Sequence, residues 1–278
     1  MKKEVKTKKP VVAVYSLTCC EGCQVAMINL GSRLLELFDF VDLGDMEIIE
    51  EAPDVAHYDV VFIEGTPLTK DNIERIKEIR EKSTYVITLG NCATHGCYQG
   101  IKNYRDKDAA LKYVYSKPRG IDNFDIKGVG EYIKVDFNIY QCPINGEEFL
   151  RFVYALINGQ APYVRNRPVC YECQINGTDC LLHHSKACLG PMILGGCNAP
   201  CPSDGNYKCE ACRKVLPGAP ILNMENKLFK DKIMTQKELD ETLEKFTMKE
   251  EWRDALTKHE EGTLRAQGIK KPPPKCLT

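Results

Sequence analysis

Eight cysteines fall between Cys170 and Cys212, in a segment that is rich in glycine and proline. Five of them belong to the stretch CLGPMILGGCNAPCPSDGNYKCEAC, which ends at Cys212. The segment shows neither the period of an amphipathic helix nor the alternation of a strand, so we do not expect it to bury a conventional hydrophobic core. Thiolates can instead fold such a segment around inorganic centres, because metal binding supplies free energy of folding. The cysteines therefore predict that this part of the chain folds on metal.

The cysteines also bear on the compartment. The chain has 278 residues, fifteen cysteines and a formal net charge of −1. Disulfides rarely persist in the cytoplasm, and an odd number of cysteines does not form a complete disulfide framework. The apolar stretch at residues 11–17 lacks a cleavage site after it, and no apolar run approaches the ~20 residues of a membrane helix. We expect a cytoplasmic protein with no membrane attachment and, without a basic patch, no nucleic-acid partner.

From residue 11 to about residue 160 the chain alternates strand and helix patterns. Strands are predicted at VVAVYSL, FVDLGDMEI, YDVVFIEGTP, TYVITLG and EYIKVDFNIY, and helices at GCQVAMINLGSRLLELF, after Thr69 and at GEEFLRFVYALING. Residues 98–130 are polar and predict an irregular insertion. The alternation predicts an α/β fold, a flavodoxin-like doubly wound parallel sheet with helices on both faces.

The regular pattern ends after Pro162, which we take as the domain boundary. Residues 1–162 form the flavodoxin-like domain, and residues 163–278 form a second, loop-rich domain with C-terminal helices. The helical pattern returns at residues 235–266, where TQKE is a capping box. The tail KKPPPKCLT is predicted to be extended and mobile.

Four cysteines follow three of the predicted strands directly. Cys20 and Cys23 follow the first strand, Cys92 follows the fourth and Cys142 follows the fifth. The carboxyl ends of parallel strands meet at one edge of a doubly wound sheet, where ligands bind. We therefore expect these four thiols to converge on a single four-thiolate site.

The eight cysteines downstream divide into two further groups of four. The first group is Cys170, Cys173, Cys180 and Cys188, and the second is Cys197, Cys201, Cys209 and Cys212. Four thiolates suit either tetrahedral zinc or a [4Fe–4S] cluster. The Cys-Pro pairs at Cys142 and Cys201 resemble the pair that often ends an iron–sulfur motif, so spacing favours iron–sulfur clusters, with zinc as the alternative.

The motifs LTCCEGCQ, IEGTP, GNCATHG, NIYQCPI, PVCYEC, ACLGP, GGCNAPCP and CEAC occur in this order along nearly the whole chain. Together they resemble the small, electron-transferring subunit of cytosolic group 3 [NiFe]-hydrogenases, above all the delta subunits of sulfhydrogenase-type enzymes and then the small subunits of methyl-viologen-reducing methanogen enzymes. The resemblance implies one cluster beside the nickel–iron centre of a separate large subunit and two further clusters in the second domain. It also implies a flavin- and iron–sulfur-containing partner linked to NAD(P) or ferredoxin.

The resemblance implies three [4Fe–4S] clusters with the following ligands. The proximal cluster is held by Cys20, Cys23, Cys92 and Cys142, the medial cluster by Cys197, Cys201, Cys209 and Cys212, and the distal cluster by Cys170, Cys173, Cys180 and Cys188. Membrane-linked relatives have a proline in place of the fourth medial ligand, whereas this chain has Cys201. Clusters that are held by thiolates alone suit an electron acceptor with a low reduction potential. No nickel is expected on this chain, and no flavin or nucleotide either, because the sequence lacks GxGxxG and GxxxxGK[ST] motifs.

Several residues near these motifs are open to two interpretations. Cys19 is an alternative to Cys20 as a proximal ligand. Cys97, close to Cys92, is either an alternative ligand or a bystander, of which we favour the bystander, and Cys276 is expected to bind no cluster. His95 is either a donor to cluster sulfur or an ordinary loop residue, and Glu64 is expected to cap a loop. The remaining candidates, which we expect to be solvated or hydrogen-bonded, are His183 and His184.

Two other functions fit parts of the pattern. A complex-I-like or coenzyme-F420-linked redox module would share the first domain, although the eight cysteines of the second domain argue against the complex I form. A zinc-stapled interaction module is the alternative from another class, and the colour of the protein would separate it from an iron–sulfur protein.

Overall fold

The computed structural model describes residues 9–49 and 55–266, with side chains as far as residue 260. The chain forms two compact units. The first contains the residues up to Val164 together with Glu244–Thr247, and the second contains Arg165–Leu243 and the residues from Met248 onward.

The first unit is built on a parallel sheet. Its strands within the described residues are β1 Val11–Ser16, β2 Asp42–Met46, β3 Tyr58–Glu64, β4 Ser83–Leu89 and β5 Phe137–Ile139. They lie in the order β2-β1-β3-β4-β5, and every neighbouring pair is parallel. The predicted α/β class with a doubly wound parallel sheet is confirmed.

Helices cover both faces of this sheet. The helices of this unit within the described residues are α1 Gly22–Ile28, α2 Ser32–Phe38, α3 Lys70–Glu81, α4 Gly90–His95, α5 Lys107–Val114 and α6 Gly146–Ile157, of which α1, α2 and α6 pack on one face and α3 on the other. The helix after Thr69 is confirmed, and the Thr69 side chain caps it by accepting the Asn72 N–H. The single helix predicted over residues 22–38 is wrong, because α1 and α2 are separated at Gly31, whose φ is 58°. A positive φ ends a right-handed helix, and glycine adopts it at little cost.

The alternation of side chains along the strands creates two apolar layers. On one face, Val12, Val14 and Phe62 pack with residues of α1, α2 and α6, among them Met27, Leu37 and Phe149. On the other face, Ala13, Val61 and Ile63 pack with Ile76 and Ile79 of α3. The sheet is thus buried on both sides, as a parallel sheet requires, and its carboxyl edge is left for the loops.

Two expectations for the second half of this unit need correction. The insertion at residues 98–130 is not wholly irregular, since it contains α5 and 3₁₀ turns at Cys97–Tyr104 and Val129–Glu131. The fifth strand is only Phe137–Ile139, the last part of the predicted EYIKVDFNIY, because Val129–Glu131 already forms a 3₁₀ turn. The end of that strand still delivers Cys142 to the carboxyl edge.

The second unit consists of short elements joined by loops. Its helices are α7 Val169–Ile175, α8 Pro200–Ser203, α9 Ile221–Lys230, α10 Gln236–Glu244 and α11 Lys249–Ala266, with 3₁₀ turns at Leu181–His184 and Gly190–Met192. Contrary to the expectation, the cysteine-rich segment does bury a small apolar core, which includes Val169, Leu189, Ile193, Leu194 and Val215. Isolated antiparallel bridges, Pro168 with Leu194 and Ile193 with Val215, allow this core to form without extended strands.

The C-terminal helices begin with the predicted capping box. Thr235 Oγ1 accepts the Glu238 N–H at 3.2 Å, and a Glu238 carboxylate oxygen accepts the Thr235 N–H at 2.7 Å. The tail KKPPPKCLT with Cys276 lies outside the described residues. Among the helices of residues 9–49 and 55–266, none is both long and apolar enough to cross a membrane.

Candidate cluster-binding sites

The carboxyl edge of the sheet brings three cysteine-bearing loops together. Cys23 lies in α1, which follows β1, Cys92 lies in α4, which follows β4, and Cys142 follows β5. The sulfur of Cys23 packs on the backbone of the β4–α4 junction, since a Cβ added to Gly90 would lie 2.5 Å from it. Burial, with contributions from Glu64 and Cys92, raises the pKa of the Cys23 thiol. The structure thus brings together Cys23, Cys92 and Cys142.

Cys20 occupies the outer side of the same edge. A Cβ added to Gly22 would lie 3.2 Å from the Cys20 sulfur and 3.6 Å from Cβ of Pro143, the residue after Cys142. Cys20 is exposed, whereas Cys23 is buried. Cys20 is therefore placed beside the Cys142–Pro143 turn, as its position after β1 predicts.

Cys97 is a fifth thiol at this edge. It is fully buried and begins the 3₁₀ turn after α4. Hydrogen bonding with the sulfurs of Cys142 and Cys92, together with burial, raises the pKa of the Cys97 thiol, and the contact with Cys97 lowers the pKa of Cys142. The sequence favoured a bystander role for Cys97 and left a ligand role open, because Cys97 lies only five residues after Cys92.

Cys19 faces carboxylates. Its thiol donates to Glu21 Oε1 at 3.1 Å, and its sulfur lies within 4.8 Å of carboxylate oxygens of Glu21 and Glu64. Burial raises the pKa of the Cys19 thiol. Cys19 and Cys20 thus have different surroundings despite being adjacent in sequence.

Glu64 ends β3 and caps the start of α1. It is 1% exposed, and its carboxylate accepts the N–H groups of Cys23 at 3.0 Å and Gln24 at 3.2 Å. Burial raises the pKa of this carboxyl, although the two N–H groups oppose that shift. The prediction that Glu64 caps a loop is confirmed.

The candidate histidines have other hydrogen-bonding partners. His95 Nδ1 lies 2.9 Å from Asn91 Oδ1 and 2.8 Å from Thr94 Oγ1, and its ring lies 5.9 Å from that of Tyr140. His184 Nε2 lies 2.5 Å from Asp179 Oδ2 in an exposed pair. These contacts account for both histidines without a metal.

The first group of cysteines in the second unit lies on α7 and on the loops that follow this helix. Cys170 and Cys173 lie on α7, Cys180 precedes one 3₁₀ turn and Cys188 precedes another. Burial, together with the neighbouring thiols of Cys188, Cys180 and Cys173, raises the pKa of Cys170 to about 12. A Cβ added to Gly190 would lie 3.5 Å from the sulfurs of both Cys170 and Cys188. These four cysteines are therefore neighbours in space.

The second group is formed by the loops around α8 and after it. Burial raises the pKa of the Cys209 thiol well above its usual range, with contributions from Cys212, Cys188 and Cys197. Cys201 is the exposed member. Cys188 influences both Cys209 and Cys201, so the two groups of the second unit adjoin each other.

The donor sets fit iron–sulfur clusters. Each group offers four sulfur ligands, and burial raises the pKa of one thiol in each, Cys23, Cys170 and Cys209, so that ionisation of these thiols requires a compensating cation. A Cβ at residue 90 would crowd the sulfur of Cys23, whereas a Cβ at residue 190 would make ordinary van der Waals contact with the sulfurs of Cys170 and Cys188. Four thiolates per group match the ligand requirement of a [4Fe–4S] cluster and equally that of zinc.

The chain is similar in sequence to several known proteins. Residues 20–156 match the family described as NADH ubiquinone oxidoreductase, 20 Kd subunit. The chain is 34% identical to the sulfhydrogenase 2 subunit delta of Pyrococcus furiosus, over 73% of this chain and 85% of that protein. It is 29% identical to a vhu subunit of the F420-non-reducing hydrogenase of Methanocaldococcus jannaschii, over 72% and 80% respectively.

A solved structure supports the fold. The [NiFeSe]-hydrogenase of Dm. baculatum contains a chain that superposes with a TM-score of 0.52 at 15% identity, covering 75% of this chain and 95% of that one. The relatives and the family match make the chain a subunit of an oxidoreductase. The chain belongs to the family of hydrogenase small subunits that includes the delta subunit of sulfhydrogenase.

Proposed function

We propose that this chain is the electron-transfer subunit of a cytosolic [NiFe]-hydrogenase. It relays electrons from the nickel–iron site of a large subunit, through three [4Fe–4S] clusters, to a flavoprotein partner that uses NAD(P) or a ferredoxin-type acceptor. The observation that carries the proposal is the grouping of the thiols: the sheet edge collects one set, and the second unit holds two adjoining sets.

The ligand sets that we propose follow these groups. Cys20, Cys23, Cys92 and Cys142 hold the proximal cluster, Cys197, Cys201, Cys209 and Cys212 the medial cluster, and Cys170, Cys173, Cys180 and Cys188 the distal cluster. Cys20 is preferred to Cys19 because it lies beside the Cys142–Pro143 turn, whereas the Cys19 thiol is bonded to Glu21. We assign Cys97 no cluster iron, because the other four thiols complete the proximal set and Cys97 is fully buried beside Cys142 and Cys92.

The bound clusters would supply reversible one-electron chemistry at low potential. The protein residues hold these centres in place and exclude water from their buried side. Buried Cys23, Cys188, Cys197 and Cys209 place sulfur in surroundings from which water is excluded. The exposed ligands Cys20 and Cys201 leave one side of the proximal and medial groups open to solvent or to a partner surface.

The relatives bear on the choice of partner. The two named above are a sulfhydrogenase subunit and an F420-non-reducing hydrogenase subunit, which supports a hydrogenase large subunit as one partner. The complex-I-like alternative rests on the family match at residues 20–156, and that match does not extend to the eight cysteines of the second unit. The two thiol groups of the second unit support a hydrogenase relay of three clusters instead.

The test is the iron and acid-labile sulfide content of anaerobically purified protein, with its EPR spectrum after reduction. We expect about twelve iron and twelve sulfide per chain and interacting [4Fe–4S]⁺ signals. Cys142→Ser is expected to remove about four of the iron atoms, whereas Cys276→Ser, which changes a cysteine assigned to no cluster, leaves the content unchanged. Zinc without sulfide would overturn the proposal in favour of a zinc-stapled module.

A further inference from the structure

Glu172 is a buried carboxylate within the CYEC motif, between Cys170 and Cys173 on α7. It is 2% exposed. Its carboxylate nevertheless points to a different loop: Oε1 accepts the Gly196 N–H at 2.7 Å, and Oε2 accepts the Asn198 N–H at 2.8 Å. Oε2 also lies 3.8 Å from the sulfur of Cys197, the residue between those two N–H groups.

The charge of Glu172 is partly balanced on its other side. Arg165 Nη1 donates to Oε1 at 3.0 Å, and the arginine side chain is less buried than the glutamate. A carboxylate in this position satisfies two backbone donors that would otherwise lack partners in the interior, which fixes the conformation of the loop. The loop in question is the one that presents Cys197.

Arg213 holds the same loop from its carbonyl side. It follows Cys212 directly and is 1% exposed. Its Nε donates to the carbonyl of Leu194 and its Nη2 to the carbonyl of Gly195, each at 3.1 Å. The segment at residues 194–198 is therefore bonded through its carbonyls to a buried cation and through its N–H groups to a buried anion.

The two charges act on Cys197 with opposite signs. Glu172 Oε2 lies 3.8 Å from the Cys197 sulfur, whereas the Arg213 guanidinium binds the carbonyls of Leu194 and Gly195 in the same loop. Charges in a water-excluded site act more strongly than at the surface. The same field acts on any redox centre that this sulfur binds, because reduction adds a negative charge to it.

We propose that Glu172 and Arg213 are positioning residues for Cys197 that also shift the reduction potential of its cluster in opposite directions. The inference rests on the proposed cluster binding. It assigns Glu172 to the cluster of Cys197, although the sequence places this residue among the ligands of the other group. Glu172 lowers the potential of that cluster, and Arg213 raises it.

The experiment is an EPR-monitored redox titration of the whole anaerobically purified chain. Cys197→Ser and Cys170→Ser identify, by loss, which signal belongs to each group. Glu172→Gln is expected to raise the potential of the Cys197 cluster and Arg213→Gln to lower it, while Arg213→Lys, which keeps the charge, restores the wild-type value. Glu225→Gln is the control, because it removes a carboxylate that contacts Trp252 in the same unit and leaves every potential unchanged.

Each possible result either supports or overturns the inference about Glu172 and Arg213. Unchanged potentials, shifts of the same sign in both charge variants, or a shift confined to the Cys170 cluster would overturn the inference while wild-type iron content still upheld the proposed function. Should Glu172→Gln lose only the iron of the Cys197 group, the positioning role is upheld, and Glu172→Asp, which keeps the charge, then tests the potential. A wild-type chain without iron would overturn the proposed function itself.

Discussion

The hydroxyl of Thr247 donates a hydrogen bond of 2.7 Å to the backbone carbonyl of Cys97, a residue 150 positions away. Two further contacts involve the adjacent Phe246, whose carbonyl accepts Asn91 Nδ2 at 2.9 Å and whose ring lies 5.5 Å from that of Tyr98. The segment Glu244–Thr247 therefore belongs to the first unit and packs on the loop that carries Cys92 and Cys97.

Thr247→Val tests whether this segment holds the loop. The substitution keeps the shape and removes the hydroxyl, so the Cys97 carbonyl loses a donor and the stability should fall by about 1 kcal/mol. The measurement is the urea midpoint of the anaerobically purified protein. Thr247→Ser keeps the hydroxyl and should stay closer to wild type; equal losses in both variants would mean that the hydrogen bond contributes little.

Gly90→Ala tests the packing of the Cys23 sulfur on the β4–α4 junction. The added Cβ would lie 2.5 Å from that sulfur, so Cys23 must move, and we expect about four iron atoms per chain to be lost. Gly120→Ala is a matched control: φ is 82° at Gly90 and 86° at Gly120, and a Cβ at Gly120 meets nothing within 4 Å. Both variants thus share the backbone strain, and only Gly90→Ala crowds a sulfur. Equal iron contents in the two variants would contradict the prediction.

The sequence was sufficient for the convergence of Cys20, Cys23, Cys92 and Cys142, because strand order and direction place their loops at one edge of the sheet. The sequence was not sufficient to predict the position of Cys97 beside these thiols. The position of Cys97 depends on a 3₁₀ turn that it enters with a φ of 45°, and no periodic pattern marks such a turn.

The sequence also did not predict the long-range contacts. Residues 244–247 interrupt a helical pattern that reads as continuous from residue 235 to residue 266, and their partners lie 150 positions away. The sequence likewise did not predict the hydrogen bonds between Glu172 and the Cys197 loop, because a motif shows only which residues are adjacent along the chain. Periodicity reports which face of an element is buried, and it carries no information about such contacts.

Asp136 predicts a pH dependence of stability in the first unit. Burial opposes its ionisation, but the Val86 N–H at 2.9 Å and Arg80 Nη1 at 2.6 Å outweigh burial and lower the pKa of the carboxyl. A lowered folded-state pKa stabilises the fold above the unfolded value of about 4, and the stabilisation is lost as pH falls through the folded value. Asp136→Asn should therefore lower the urea midpoint at pH 7.

The difference between Asp136→Asn and wild type should begin to shrink as the pH falls below about 4 and should vanish below the lowered pKa of the folded carboxyl, where both side chains are neutral. Glu36→Gln, which removes an exposed carboxylate of α2, serves as the control and should leave the midpoint near wild type at pH 7. A difference that stayed constant down to pH 3 would show that the shape of the side chain matters and its charge does not.

Cys201→Ser tests the ligand set of the medial cluster. Cys201 is exposed, whereas Cys197 and Cys209 of the same group are buried. Loss of the exposed ligand leaves three thiolates, which suits a three-iron cluster, so we expect the loss of about one iron per chain and a [3Fe–4S] EPR signal after oxidation. Cys209→Ser removes a buried ligand and should cost about four iron atoms. If Cys201→Ser kept the wild-type spectrum, the fourth ligand of this cluster would have to be another residue, and the exposure of Cys201 would reflect a thiol that binds no iron.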